Sequence, residues 1–271
     1  MRIARFLHGG VAKTGVVLDS DLVPVDYDSI EECMGEPSSE IKKKCSKEKI
    51  SLSKVKLLPP VNPSKIICLG WNYLEHIEEL KNKIPEKPMV FLKPPSAVIG
   101  HGDNIILPNP GLSNEVNNEI ELAVVIGKKA KNISKEKAYD FVLGYTIFQD
   151  ITARDMQWRL RQKNEQWDIA KAFDTFAPMG PWITTTSGIK NPHNLRISLK
   201  VNGKTRQDSN TKHMIFKIPE VIEYLSSVMT LLPGDVISTG TPRGVDLIKE
   251  GDLMEAEIED IGVLKNKVLK R

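Results

Sequence analysis

The chain has 271 residues, 40% of them hydrophobic and 27% charged, enough to bury a substantial core and without a low-complexity or disorder-like bias. Its 38 basic and 35 acidic residues leave a formal net charge of +3, too weak a field to recommend nucleic acid as a partner, and no apolar run reaches the length that crosses a membrane. Cys33, Cys45 and Cys68 form no CxxC pair and leave an odd count, which argues against a disulfide framework and a structural zinc site and suits a reducing, cytoplasmic setting.

The first 60 residues read as a small β-rich unit, with strands at 2–7 and 15–18. A polar, lysine-rich stretch over 30–54 follows. The cluster Pro59-Pro60-Val61-Asn62-Pro63 then marks a boundary, because proline cannot donate to a sheet and stiffens the chain, so the division is 1–58 and 59–271. Beyond it short strands dominate, at 66–69, 89–92, 122–126, 145–148 and 195–201, and Asn202-Gly203 supplies a hairpin turn because both residues tolerate positive φ. Helices are predicted over 73–83, 135–141, 153–163 and 218–229, the last stopping before Pro233-Gly234-Asp235. The fold class is mainly β with flanking helices, α+β.

Chemistry concentrates in Glu119-Ile120-Glu121-Leu122-Ala123-Val124-Val125-Ile126-Gly127. Alternate residues of a strand share a face, so Glu119 and Glu121 project together from a strongly apolar strand. Two like charges there need a counter-charge, which a divalent cation supplies compactly, carboxylate oxygens suiting Mg²⁺ or Mn²⁺. The plainer alternative is a solvent-facing pair on an edge strand. Asp150 ends an apolar strand before a predicted helix, where it adds a third carboxylate or caps the helix. Lys171, in the apolar run Ile169-Ala170-Lys171-Ala172-Phe173, takes a task at the site or a salt bridge with its stem snorkelling to solvent. His76 and Glu79, three apart on a helix, face one side and can share a water or a hydrogen bond; such a pair is otherwise surface decoration. Thr239-Gly240-Thr241-Pro242 offers two hydroxyls and a glycine turn, a cradle for a carboxylate or a tight turn alone.

Together these residues resemble the fumarylacetoacetate hydrolase family. The likeness runs from about residue 60 to the C-terminus, through Gly70-Trp71-Asn72-Tyr73 with His76, Pro88-Met89-Val90-Phe91-Leu92-Lys93, the glutamate strand, and Gly144-Tyr145-Thr146. It continues through Asp150-Ile151-Thr152-Ala153-Arg154-Asp155-Met156-Gln157, Lys171-Ala172-Phe173-Asp174, Asn202-Gly203, Pro233-Gly234-Asp235-Val236-Ile237 and Thr239-Gly240-Thr241-Pro242. The resemblance implies a twisted β core with the small N-terminal β-rich domain appended, assembled as a homodimer. It implies that Glu119, Glu121 and Asp150 are metal carboxylates for Mg²⁺, with Mn²⁺ or Ca²⁺ as substitutes, and that Lys171 stands near the reacting carbonyl. It further implies that His76 and Glu79 position a hydrolytic water, and that Arg154, Gln157 and Thr241 hold the substrate's carboxylate and oxo groups. One departure is Asn117-Asn118, where many members carry histidine just before the first metal glutamate; the three carboxylates are intact and only the acid/base surroundings change.

The activity so implied is metal-dependent chemistry on a small 2-oxo acid through a metal-bound enolate: acylpyruvate-type C–C hydrolysis, or oxaloacetate decarboxylation or tautomerisation. The alternatives are 2-hydroxyhepta-2,4-diene-1,7-dioate isomerase or 2-oxo-pentenoate hydratase activity, and a non-catalytic binding module of the same fold. The polar segment 73–88, with Ile77, Leu80 and Ile84 as its main apolar anchors, is predicted to be a lid, its alternative being a surface helix docked through that stripe.

Overall fold

The strand Ile120–Ile126 is the axis of the molecule, and all seven of its residues are buried. Ile120, Leu122, Val124 and Ile126 enter one hydrophobic cluster, while Ala123 and Val125 enter another on the opposite face. A run of aliphatic and β-branched residues is what a strand covered on both faces requires. A computed structural model describes residues 1–27, 30–33, 36, 38–79 and 82–270. In it the central strand pairs antiparallel with Val142–Gln149 on one side and with Val236–Ser238 on the other. Ala177–Thr185 extends the sheet beyond Val142–Gln149, and Ile66–Gly70, parallel to Val236–Ser238, leads to Met89–Lys93 at the far edge.

The N-terminal strands Arg2–His8, Val11–Leu18 and Asp21–Pro24 form an antiparallel meander with a small core of Ala4, Phe6, Val17, Leu22 and Ile50. It joins the main sheet where Ile3 stands opposite Ile183. The sheet so extended has twelve strands among the described residues. A second, five-stranded sheet carries the hairpin Arg196–Val201 and Lys204–Asn210, whose turn residues Asn202 and Gly203 sit at φ 51° and 74°, as the sequence predicts. Leu199, Met254 and Leu264 from this sheet, with Val221, Ile222 and Leu225 of the helix Ile218–Val228, pack onto the Leu122 and Val124 face of the axis strand. No helix among the described residues is long and apolar enough to cross a membrane.

Two helical expectations change. The segment 135–141 is a 3₁₀-helix, Lys135–Phe141, closed by bonds such as Lys137 N–H to the Ser134 carbonyl at 3.0 Å, and it delivers Val142 directly into its strand. The helix predicted over 73–83 is described as Leu74–Glu79; Leu80 and Lys81 lie outside the described residues, and Asn82 to Pro88 are not helical. Asn82 N–H closes the segment on the Ile77 carbonyl at 3.1 Å, a six-to-one bond of the kind that ends a helix. Helices at Arg154–Gln162 and Ile218–Val228 match their predicted positions to within a residue or two.

Gly144, on the strand that leads to Asp150, shows how closely this sheet is drawn together: a Cβ there would lie 2.3 Å from the Thr184 carbonyl oxygen. Gly144→Ala is expected to cost about 1–3 kcal/mol, the usual range for overpacking. Urea denaturation measures it, and an unchanged midpoint would contradict the close pairing.

Candidate active site

The face of the axis strand that carries Ala123 and Val125 also carries Glu121, and Glu119 lies one period further back, just before the strand begins. On the neighbouring strand Phe148 stands opposite Glu121, and Asp150 follows two residues later. The ladder continues past the strand end, where Asp150 N–H donates to the Glu119 carbonyl at 2.9 Å. All three carboxylates are buried, and one oxygen from each lies within 4.8 Å of the others. The edge-strand alternative is thereby excluded, since this strand is central and the glutamates do not face solvent.

Three cations answer two of these carboxylates. Lys171 Nζ donates to Glu119 Oε2 at 2.8 Å and also to Asp150 Oδ2. Lys93 Nζ donates to Asp150 Oδ1 at 2.7 Å and to the Ile151 carbonyl at 3.1 Å. Arg154 donates to Glu119 Oε1 with one guanidinium nitrogen and to Gln157 Oε1 at 2.6 Å with another. Glu121 is treated differently. Its Oε2 accepts from neutral donors, the Ser238 hydroxyl at 2.5 Å and the Gly240 N–H at 2.8 Å. Gly240 takes φ +90°, and a Cβ on it would press to 2.9 Å from Asn72 Cβ, so glycine is required where this amide turns toward the carboxylate.

The titration behaviour follows from these partners. Burial raises the Glu119 pKa, but Lys171 and Arg154 outweigh it and hold this carboxyl well below the usual range. At Glu121 burial and the charges of Asp150 and Glu119 act together, and the pKa is pushed up to about 8. Burial opposes the charge of Lys171, yet Asp150 and Glu119 prevail and raise its pKa. The donor set therefore fits a hard divalent cation: three convergent carboxylates, of which Glu121 has no cationic partner among the described residues.

The carboxylates line a cavity of about 190 Å³. His76, Glu79, Arg154, Gln157, Lys171 and Thr241 line it as well, so all nine residues singled out in the sequence meet there. His76 Nδ1 and Glu79 Oε2 are 3.2 Å apart, the imidazole buried and the carboxylate partly exposed. Tyr73 and Ile77 anchor this segment in the interior, whereas Ile84 is exposed and Leu80 lies outside the described residues. The Thr241 hydroxyl donates to the Ile120 carbonyl at 2.7 Å and accepts from Gln207 Nε2 at 2.9 Å, so its hydrogen is already committed within the chain. Gln207 Oε1 in turn accepts from Asn118 and from Ile120 N–H, tying the Thr241 turn to the glutamate strand. Asn117 lines the cavity with a buried Oδ1 that has no hydrogen-bond partner.

Sequence reasoning assigned no role to several groups at the site. Lys93 shares a strand face with Phe91, and a lysine on an otherwise apolar row was the available signal. Trp158 and Arg161 share the helix face of Arg154 and Gln157 at i+3 and i+4 spacing, which was the available signal, whereas the cavity walls Trp71, Phe91 and Trp167 come from separate stretches of the chain.

The family model described as the fumarylacetoacetate (FAA) hydrolase C-terminal domain matches residues 65–269. The chain is 45% identical over 225 residues to the mitochondrial oxaloacetate tautomerase FAHD2A of Bos taurus, an alignment covering 80% of this chain and 70% of that protein. It superposes on the 5-carboxymethyl-2-hydroxymuconate delta-isomerase of Mycobacterium smegmatis with a TM-score of 0.86 at 37% identity, covering all of both chains. On the maleylpyruvate hydrolase of Sphingobium, solved with manganese(II) ion and pyruvate, the TM-score is 0.80 at 33% identity, covering 100% of this chain and 99% of that one.

Glu121 makes the stability of the metal-free protein depend on pH. Its folded-state pKa is raised from 4.5 to about 8, so the folded chain holds an extra proton between those values. The stability that this proton gives is full below the lower value and lost as pH rises through the upper one. Urea denaturation of chelator-treated protein between about pH 5 and pH 8 measures it. The advantage of wild type over Glu121→Gln is expected to fall with rising pH, and a difference that does not change with pH would contradict the assignment.

Proposed function

The chain belongs to the fumarylacetoacetate hydrolase family, and from that premise we propose that it is a divalent-metal-dependent enzyme acting on a small 2-oxo acid, with Glu119, Glu121 and Asp150 as the metal carboxylates and Mg²⁺ as the preferred ion. The observation that carries this reading is the convergence of three buried carboxylates on one cavity, with Glu121 left to neutral donors. The manganese(II) ion and pyruvate held by the Sphingobium hydrolase, and the oxaloacetate for which the bovine relative is named, point the same way.

A bound divalent cation supplies Lewis acidity toward the carboxylate and adjacent carbonyl of a 2-oxo acid. Arg154, its orientation fixed by Glu119 and Gln157, offers charge-assisted donors to the substrate's carboxylate, and the Gln157 amide nitrogen offers another. Thr241, with its hydroxyl committed, contributes its backbone N–H. Lys171 keeps its charge between Glu119 and Asp150 and stabilises the enolate oxygen that develops at C2 when a proton or a carbon substituent leaves C3. Glu79 occupies His76 Nδ1, which fixes the ring and leaves Nε2 as the nitrogen that moves a proton. In oxaloacetate tautomerisation that proton belongs to C3. In acylpyruvate cleavage His76 takes it from a water that attacks the C4 carbonyl. The dyad rides on the short Leu74–Glu79 helix, which Tyr73 and Ile77 dock against the interior, so His76 and Glu79 stand at the cavity wall.

Enol–keto interconversion of oxaloacetate and pyruvate release from acylpyruvates, each with Mg²⁺ and with excess chelator, test this reading. Activity is expected with Mg²⁺ and not with chelator. His76→Ala is expected to slow turnover about a hundred- to ten-thousandfold while leaving Mg²⁺ affinity unchanged. Full activity in chelator would overturn the metal assignment, and an equal loss of Mg²⁺ affinity would make His76 a structural residue.

A further inference from the structure

The cavity holds one more cation than the chemistry above employs. Arg161, in the last turn of the Arg154–Gln162 helix, lines it. Three of the chain's four tryptophans surround the guanidinium, with ring centroids 4.3 Å (Trp167), 5.3 Å (Trp71) and 5.9 Å (Trp158) from its central carbon. Ring faces hold a guanidinium by cation–π attraction, but they do not accept the in-plane N–H donors that form its fork. Among the described residues no carboxylate pairs with Arg161, and its buried Nε has no hydrogen-bond partner. Its half-burial depresses its pKa and the charge of Arg154 adds to the effect, while Glu119, which forms no ion pair with it, opposes them more weakly.

The cage is itself held in position. Trp167 is braced by Phe91 with ring centroids 5.1 Å apart. Trp71 sits at φ +55°, a backbone conformation that is strained for a bulky residue and that clusters at ligand clamps. A partly desolvated guanidinium, fixed by rigid aromatic groups and lacking an anion, is suited to a carboxylate brought in from outside, because charge-assisted pairing strengthens where water is excluded.

We infer that Arg161 is a specificity-determining residue that takes a second carboxylate at the far end of the substrate, so that this enzyme prefers 2-oxo dicarboxylates to 2-oxo monocarboxylates. The inference rests on the 2-oxo acid reading of the site and adds to it the charge of the substrate's other end. It assigns the tryptophans the task of orienting the fork, a geometry that lysine does not reproduce.

Calorimetric titration of the Mg²⁺-loaded protein with two matched pairs tests it: 2-oxopentanoate against 2-oxopentanedioate, and 2-oxohexanoate against 2-oxohexanedioate. In wild type at least one dicarboxylate is expected to bind about tenfold or more tightly than its partner, the scale of one hydrogen-bonded charge. Arg161→Met is expected to erase that advantage and to leave monocarboxylate and Mg²⁺ affinities within about twofold of wild type. If that variant does not fold, Arg161→Gln decides by the same criterion. No advantage in either pair, or an advantage that survives loss of the charge, overturns the inference, while monocarboxylate binding leaves the 2-oxo acid reading standing. Failure of every 2-oxo acid to bind the loaded protein overturns both.

Discussion

Three carboxylates buried within 4.8 Å of one another are the constraint around which this molecule is arranged. A buried ionised carboxylate is tolerated only where charges and hydrogen bonds replace the water it has lost. The replacements come from well-separated parts of the chain: Lys93 from the strand Met89–Lys93 at the sheet edge, Arg154 from the start of a helix, Lys171 from the 3₁₀ turn Asp168–Lys171. None of them is near the glutamates in sequence. The tertiary fold brings them together, so the architecture and the electrostatics of the site are one arrangement. Glu121 is the exception, served by a hydroxyl and an amide, and it is the carboxylate whose proton a cation would replace.

The same constraint explains how one constellation accommodates the different reactions named among its relatives, a tautomerase, an isomerase and a hydrolase. A divalent cation held by such a cluster would, together with a flanking ammonium, stabilise negative charge on an oxo acid whichever bond at C3 is broken. The reaction is then decided by what surrounds the acid, and in this chain the surroundings are a His76–Glu79 pair and a wall of aromatic rings. Asn117 contributes an unpaired buried oxygen to that wall. Fold and shared cluster set the class of chemistry; the walls set the substrate.

Much of this is legible in the amino-acid sequence alone, because the signals are local. The aliphatic run Ile120–Ile126 announces a strand, and a period of two places Glu119 and Glu121 on one side of it, although whether that side meets solvent is settled only by the fold. Asn202-Gly203 is a turn for steric reasons that need no tertiary context. What the sequence conceals depends on contacts across the fold. Lys93 at a strand end reads as an exit to solvent until the third carboxylate is placed beside it. Arg161 lies on the helix face of Arg154 and Gln157, but its setting among Trp71, far away in sequence, and Trp167, beyond the helix end, emerges only in the fold. Propensity over 73–83 and 135–141 favours full helices, but the bond from Asn82 N–H to the Ile77 carbonyl closes one early and the need to enter a strand at Val142 tightens the other.

The central claim is that Glu121, which holds its proton for want of a cationic partner, gives it up to a divalent cation. Titration of the metal-free protein with Mn²⁺, following the free ion by electron paramagnetic resonance, measures it directly. Glu121→Gln is the informative comparison, since the amide keeps the shape of the side chain and removes only its charge. The account predicts one Mn²⁺ per wild-type chain and a large loss of affinity in the variant. Absence of Mn²⁺ binding by wild type, or binding that the variant leaves unchanged, would contradict it.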